Sequence, residues 1–211
     1  FWANTGGNIV EGFPIILSKP HVSRIVTAKA LWAVFGGGLV YMLVLIGDEI
    51  GVGDLAAGIG ILFAARGLGT GLGPIFARYV FKNRNLWPFL LGSLVSGCGI
   101  AYVVIGFLEW SPWIAVIVVF GHASSAINWV LSTVLLQERS DDEWRGRLFS
   151  TDFLLMTTFN GLSTLAASLM LEYTEITLRE GIQLFAFLQV LSGIIWVVLM
   201  LPKERRYLKE T

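Results

Sequence analysis

The chain of 211 residues is 55% hydrophobic and only 14% charged, with a mean hydropathy of +0.71. A soluble domain carries about 25% charged residues, so this much apolar surface cannot all be buried in one core and indicates contact with lipid. The formal net charge of +0 gives no support to nucleic-acid binding, and the single cysteine excludes an internal disulfide.

The apolar residues fall into long segments that short polar stretches separate. Each segment is long enough for the roughly 20 residues of a membrane-spanning helix. In chain order we predict spans at 22–46, 52–77, 86–108, 113–136, 148–171 and 181–201. The pattern predicts an all-α membrane protein whose six-helix bundle occupies 21–202, between a polar or interfacial lead-in at 1–20 and a basic tail at 203–211. Because the first residue is Phe1 and no signal segment follows, we expect the chain to begin partway through a longer protein.

Positive charges outside the spans or close to their ends lie almost entirely on one side of the predicted membrane. That side carries Lys19, Arg24, Arg78, Lys82, Arg84, Arg139, Arg145, Arg147, Lys203, Arg205, Arg206 and Lys209. The opposite side carries Arg179 and the acids Asp48, Glu49, Asp54, Glu109, Glu172, Glu175 and Glu180. Because cytoplasmic loops are rich in lysine and arginine, both ends and the basic loops are predicted to be cytoplasmic, in a multi-pass inner (cytoplasmic) membrane protein.

Two glycine clusters lie inside the predicted spans. The stretch ARGLGTGLGPIFAR at 65–78 has alternate glycines from Gly67 to Gly73, a spacing that fits neither a dinucleotide loop nor a P-loop. We therefore assign it to the cytoplasmic half of the second span, where glycines permit close helix packing and Pro74 permits a bend. In the first span, Gly36, Gly37 and Gly38 either break the helix as a hinge or serve close packing.

Three stretches resemble the second half of major facilitator superfamily transporters. Gly73, followed by Ala77-Arg78 and a basic loop at 82–84, resembles the family's Gly-x-x-x-Asp-Arg signature, although Ala77 replaces the acid. The stretch DDEWRGRLFS, with Arg145-Gly146-Arg147, resembles the Arg-Gly-Arg loop before the eleventh helix. The stretch AKALWAVFGGGL at 28–39 resembles the seventh helix of the bacterial multidrug and siderophore exporter branch.

The resemblance covers about residues 17–202 and implies the C-terminal six-helix half of a twelve-helix secondary transporter. It implies that 1–20 ends a central linker and that Gly73, Arg78, Arg145, Gly146 and Arg147 form a cytoplasmic loop or gate. The expected partners are the lipid bilayer, a small-molecule substrate, and either the missing N-terminal half or a second copy of the chain. No cofactor is expected, and the implied energy source is the proton gradient.

Charged residues within the spans are candidates for coupling because intramembrane charges are expensive and normally face a bundle interior or cavity. Lys29, Arg66 and Asp152 lie in the first, second and fifth spans. Asp152 is either a carboxylate whose protonation couples to transport or a structural acid, in an ion pair or near a helix N-terminus. Lys29 lies at a depth in the membrane similar to that of Asp152, which favours Lys29 as the partner. Arg66 lies deeper, but its side chain is longer and ends in a forked guanidinium group. Lys29 alternatively snorkels to the cytoplasmic surface.

Polar residues of the fourth and fifth spans are the candidates for a substrate cavity. His122, Ser125, Asn128 and Ser132 recur at intervals of three or four residues, and Asn160 lies in the fifth span. His122 either relays protons or is hydrogen-bonded within the bundle. The third and sixth spans contain no charge and are predicted to be lipid-facing supports, while the other four spans face inward.

The predicted function is proton-coupled export of small amphiphilic molecules, without enzymatic activity. One alternative is an intramembrane hydrolase, since GHASSA at 121–126 places a histidine beside serines. The chain lacks G-x-S-x-G and H-E-x-x-H sequences, and His122 and Ser124 point apart on one helix. The other alternative is a channel or a non-transporting membrane scaffold, because a polar bundle interior serves either.

Overall fold

A computed structural model describes residues 11–53 and 55–210 of the chain. These residues form seven α-helices and contain no strand. The helices are α1 (Gly12–Ser18), α2 (Pro20–Glu49), α3 (Leu55–Val80), α4 (Trp87–Phe107), α5 (Ile114–Glu138), α6 (Asp142–Tyr173) and α7 (Leu178–Glu210), with a 3-10 turn at Arg84–Leu86 before α4. Six of them, α2 to α7, are long and apolar enough to cross a membrane, which confirms the predicted all-α membrane protein.

The long helices pack in neighbouring pairs around two apolar clusters. Helix α4 packs against α7 and α5, α3 packs against α5, and α2 contacts α6 and α7. One cluster surrounds Met42 and Tyr102, and the other surrounds Ile25 and Trp196. The third predicted span, α4, has 61% of its most apolar segment buried, the highest fraction of the six. Helices α5 and α7 both cover it, while Ile100, Val104 and Phe107 remain exposed on its outer side. The lipid-facing role expected for this span stays a prediction.

Glycines bring the backbones of α3 and α5 close together. A Cβ atom on Gly69 would lie 2.2 Å from the carbonyl oxygen of Val119, and one on Gly73 would lie 2.7 Å from that of Ala123. The alternate residues Gly67 and Gly71 face open space. Two glycines four residues apart therefore form the packing seam, as small residues do where helices associate in lipid.

Ion pairs join the chain segments that carry most of the positive charge. Lys19 at the start of α2 pairs with Asp141, and Arg84 before α4 pairs with Glu138 at the end of α5. Buried Glu204 near the end of α7 pairs with Arg24 and with Arg139, the latter at 2.8 Å. These contacts place both ends of the bundle and the α3–α4 and α5–α6 connections on one face, which we call the basic face.

Three helix limits near the basic face differ from the sequence prediction. Helix α6 begins at Asp142 instead of 148, because acids in its first turn favour a helix N-terminus and Arg145-Gly146-Arg147 continue the helix. Helix α7 runs to Glu210, so the expected basic tail is helical, anchored by Glu204. The lead-in contains α1 at Gly12–Ser18, and its part at 1–10 lies outside the described residues.

Candidate functional site

A cavity of about 390 Å³ lies between four of the long helices, α2, α3, α5 and α6. These are the first, second, fourth and fifth predicted spans, the four that were expected to face inward. The lining residues are Lys29, Trp32, Arg66, Thr70, Pro74, His122, Ser125, Ala126, Asn128, Trp129, Val130, Met156 and Asn160. Its volume lies in the range of about 300–1,000 Å³ that is typical of small-molecule sites.

A buried ion pair joins α2 to α6 at the wall of this cavity. Lys29 Nζ donates to Asp152 Oδ2 at 2.6 Å, and the two side chains are only 4% and 6% exposed. Lys29 lies about 14 Å along α2 and Asp152 about 15 Å along α6 from their basic-face ends, at 1.5 Å per residue. Of the two partners that the sequence left open, the structure therefore brings Lys29 to Asp152. Lys29 does not snorkel to the surface.

The ion pair leaves one carboxylate oxygen without a hydrogen bond. Asp152 Oδ1 is buried and unpaired, while the Lys29 ammonium also lies 5.2 Å from the centroid of the Trp129 ring. Asp152 is not itself a lining residue, and it adjoins the cavity through Lys29. The pair thus lies buried beside the cavity, where a shift of α2 against α6 would separate the two charges.

Arg66 projects into the cavity from α3 without an acidic partner among the described residues. Its Nε atom is buried and makes no hydrogen bond, and its guanidinium carbon lies 5.7 Å from the centroid of the Phe63 ring. A guanidinium within a membrane helix is costly unless water, an anion or a π-system compensates it. Apart from the contact with the Phe63 ring, Arg66 is therefore the charge of the site that has no acidic partner among the described residues.

His122 forms a buried pair with a residue that sequence reasoning did not identify. Its Nε2 atom lies 2.9 Å from the hydroxyl oxygen of Tyr102, and the two rings meet edge to face. The Ser125 hydroxyl donates to the carbonyl oxygen of His122, and the Ser124 hydroxyl donates to that of Phe120. Both serines therefore bond to the backbone of their own helix instead of the imidazole ring.

Three of the four polar residues predicted on the α5 face line the cavity, together with Asn160 of α6. Asn128 is buried and its Oδ1 atom has no hydrogen-bond partner. Ser132 does not line the cavity, because it is fully buried and donates to the carbonyl oxygen of Asn128 at 2.6 Å. Ser132, one turn beyond Asn128, therefore lies in the bundle interior and not at the cavity wall.

The candidate hinge residues of α2 lie at its crossing with α6. The helix is continuous through Gly36, Gly37 and Gly38. A Cβ atom on Gly37 would lie 2.1 Å from the carbonyl oxygen of Asn160, and the Gly38 N–H donates to Ser163 Oγ at 2.9 Å. This is the geometry of close packing. Pro74, the other hinge candidate, lies within α3 and lines the cavity.

The candidate gate residues are spread along the basic face. Gly73 contacts Ala123 of α5, and Arg78 is exposed near the end of α3. Arg145 pairs with Asp142 at 2.5 Å, while a Cβ atom on Gly146 would meet open space. Arg147 pairs with Glu11 at 3.0 Å and lies over the ring of Trp144, so it ties the chain before α1 to α6.

Sequence reasoning missed the aromatic part of the cavity wall. Trp32 and Trp129 both line it, as does Thr70. Helical spacing could have identified all three, since Trp32 lies three residues after Lys29 and Thr70 lies four residues after Arg66. Trp129 lies four residues after Ser125, so the same spacing places it beside the predicted polar face of α5.

Comparison of the chain with protein-family models, with curated proteins and with solved structures finds no match.

Proposed function

We propose that the chain is one six-helix half of a proton-coupled secondary exporter of small amphiphilic molecules, of the major facilitator type. The observation that carries this proposal is the buried Lys29–Asp152 ion pair at the wall of a cavity between four membrane helices. The family assignment itself rests on the sequence resemblance. In this proposal the basic face is cytoplasmic, in accordance with the distribution of lysine and arginine.

The ion pair offers a way to couple proton movement to substrate movement. While Lys29 contacts Asp152, the two opposite charges compensate each other inside the bundle. Substrate entry or a shift of α2 against α6 would separate the two groups. The isolated carboxylate would then take a proton, because a charge without a partner in an apolar site is unfavourable. Return of the ion pair would release that proton on the other side.

A second six-helix unit would complete the cavity. Helices α3 and α6 have only 22% and 11% of their most apolar segments buried, against 39–61% for the other four helices. Both of these exposed helices line the cavity. Transporters of this kind place the substrate between two repeats that rock against each other. The missing N-terminal half is the proposed occupant of this side, and a second copy of the chain would serve if the native protein has only these helices.

The hydrogen bonds around His122 support a carrier over a hydrolase. A serine hydrolase needs its nucleophile within hydrogen-bond reach of a base. Here the imidazole meets the Tyr102 hydroxyl, and both nearby serine hydroxyls donate to backbone carbonyls. A channel would share the polar cavity but would show neither saturation nor accumulation against a gradient.

Flux through the full-length native protein in proteoliposomes tests the proposal. The probe is 2-naphthalenesulfonate, a permanently charged amphiphile, with the membrane potential clamped and an imposed pH gradient. We expect saturable accumulation that collapses when an ionophore removes the gradient. Glu172→Gln changes an exposed acid elsewhere on α6 and is the matched control, expected to transport normally. Flux that is linear in probe concentration and indifferent to the pH gradient would contradict the proposal.

A further inference from the structure

Charge is unevenly compensated in the cavity wall. Lys29 is neutralised by Asp152 at 2.6 Å, whereas Arg66 has no acidic partner among residues 11–53 and 55–210. The Arg66 Nε donor is also buried without an acceptor. The cavity therefore presents one net positive charge, carried by a guanidinium in its wall. An anionic group would compensate this charge.

The rest of the wall fits an apolar or aromatic body with a polar edge. Trp32, Trp129 and Met156 contribute large apolar surfaces from three different helices. Asn128 contributes a buried Oδ1 acceptor that has no donor. Buried polar atoms are normally hydrogen-bonded. Because Arg66 Nε and Asn128 Oδ1 have almost no accessible surface, a ligand or water would pair with them after a rotation of these side chains.

We propose that the substrate is an anionic amphiphile whose carboxylate, sulfonate or phosphate group binds Arg66. A guanidinium suits this role because its planar set of N–H donors matches the oxygen atoms of such groups. The apolar body lies against Trp32 and Trp129, and a donor on the substrate meets Asn128. This inference rests on the proposed carrier function, which it extends by assigning the charge class of the substrate.

The competing explanation is that an acid of the missing half pairs with Arg66. In that case Arg66 stabilises the assembly of the two halves and does not affect which ligands bind in the cavity. The two explanations differ in what happens when Arg66 is replaced. A ligand-binding arginine controls discrimination between anionic and other ligands, while an assembly arginine controls stability alone.

Binding of three naphthalene probes to the full-length protein in detergent tests the inference. The probes are 2-naphthalenesulfonate, neutral 2-naphthalenesulfonamide and cationic 2-naphthyltrimethylammonium, which share the ring and differ in charge. Isothermal titration would give each affinity for the native protein and for Arg66→Gln and Arg66→Lys. Arg205→Gln, at an exposed arginine near the end of α7, is the matched control.

We expect the sulfonate to bind the native protein at least about ten-fold more tightly than the sulfonamide, as a charge-assisted hydrogen bond provides. Arg66→Gln should remove this preference and leave the sulfonamide affinity unchanged. Arg66→Lys should retain part of the preference, because it keeps the charge and loses the fork. Arg205→Gln should bind all three probes like the native protein.

Other results would overturn the inference. Equal or tighter binding of the neutral or cationic probe, or no binding of any probe, excludes an anion-selecting Arg66. An Arg66→Gln protein that keeps the preference for sulfonate but unfolds at lower temperature assigns Arg66 to assembly. If gradient-driven flux of the cationic probe persists, the carrier function stands and only the charge class is wrong. Sulfonate binding through Arg66 without coupled flux keeps the site and removes the carrier function.

Discussion

Replacing Asp152 with asparagine removes the titratable group of the buried ion pair while keeping its size. At the observed separation of 2.6 Å, the attraction between the two charges is about 6 kcal/mol for an effective dielectric constant of about 20. Desolvation offsets much of this, but loss of one partner leaves Lys29 as an uncompensated buried charge. Such losses destabilise a protein by about 3–5 kcal/mol. Asp152→Asn should therefore lower the unfolding temperature. In the proposed carrier mechanism it should also uncouple transport, because it removes the group that takes the proton.

A second substitution separates the two effects. Lys29→Met alone should be as harmful to stability as Asp152→Asn, since it strands the carboxylate. The double variant Lys29→Met with Asp152→Asn removes both charges, and replacement of a whole buried pair is often close to neutral. We expect the double variant to recover most of the unfolding temperature in detergent but none of the coupled flux.

The size of the imposed pH gradient sets the largest substrate accumulation that the flux assay can show. With the membrane potential clamped, a gradient of about one pH unit provides about 1.4 kcal/mol per proton, enough for roughly ten-fold accumulation of substrate. Asp152→Asn and the double variant should both bring the accumulation ratio to about one, while Glu172→Gln keeps the native ratio. If Asp152→Asn accumulates substrate normally across pH, Asp152 is a structural acid. Recovery of coupled flux in the double variant would lead to the same conclusion.

Three further predictions concern packing, orientation and surface charge. Gly69→Ala should lower the unfolding temperature because its Cβ would lie 2.2 Å from a backbone oxygen of α5. Gly71 faces open space, so Gly71→Ala should be neutral or slightly stabilising. Equal effects of the two substitutions would refute the packing seam. In intact cells an impermeant thiol reagent should label a cysteine placed at Asp48 but not one at Asp142, against little background from the buried native cysteine, and the reverse pattern would invert the topology. The hydrogen bond from Lys19 holds the pKa of the Asp141 carboxyl below its usual range. The stabilisation that this ion pair gives the folded protein should be present at neutral pH and fade as acid protonates the carboxylate. The unfolding temperatures of Asp141→Asn and the native protein should therefore converge at low pH, and a constant difference would contradict this.

The helix count and the identity of the important helices followed from local sequence. A lipid-exposed segment must satisfy its own backbone hydrogen bonds, so an apolar run of about 20 residues has little choice but to be a helix. The cost of intramembrane charge likewise identified Lys29, Arg66 and Asp152 as interior residues before their contacts were known. These inferences depend only on the solvent and on the residue itself.

The helix ends at the basic face were less predictable, because charged residues outside the lipid can belong either to a helix or to a loop. Arg145 and Arg147 appear in the sequence as a polar loop, and hydropathy excluded them from the fifth span. In the structure they form the first turns of α6, since acids at its start stabilise the helix and ion pairs hold the arginines. Hydropathy measures where lipid begins, and a helix can continue beyond it into the interfacial region.

Tertiary structure decided which residues meet. The pairing of Asp152 with Lys29, the exclusion of Ser132 from the cavity, and the contrast between Gly69 and Gly71 all depend on how each helix is rotated about its axis and where it crosses its neighbour. A rotation of one residue turns a helix by about 100°, enough to exchange a cavity position for a buried or lipid-facing one. Sequence periodicity defines the faces of a helix, but only the packing of side chains from distant segments selects which face meets which partner.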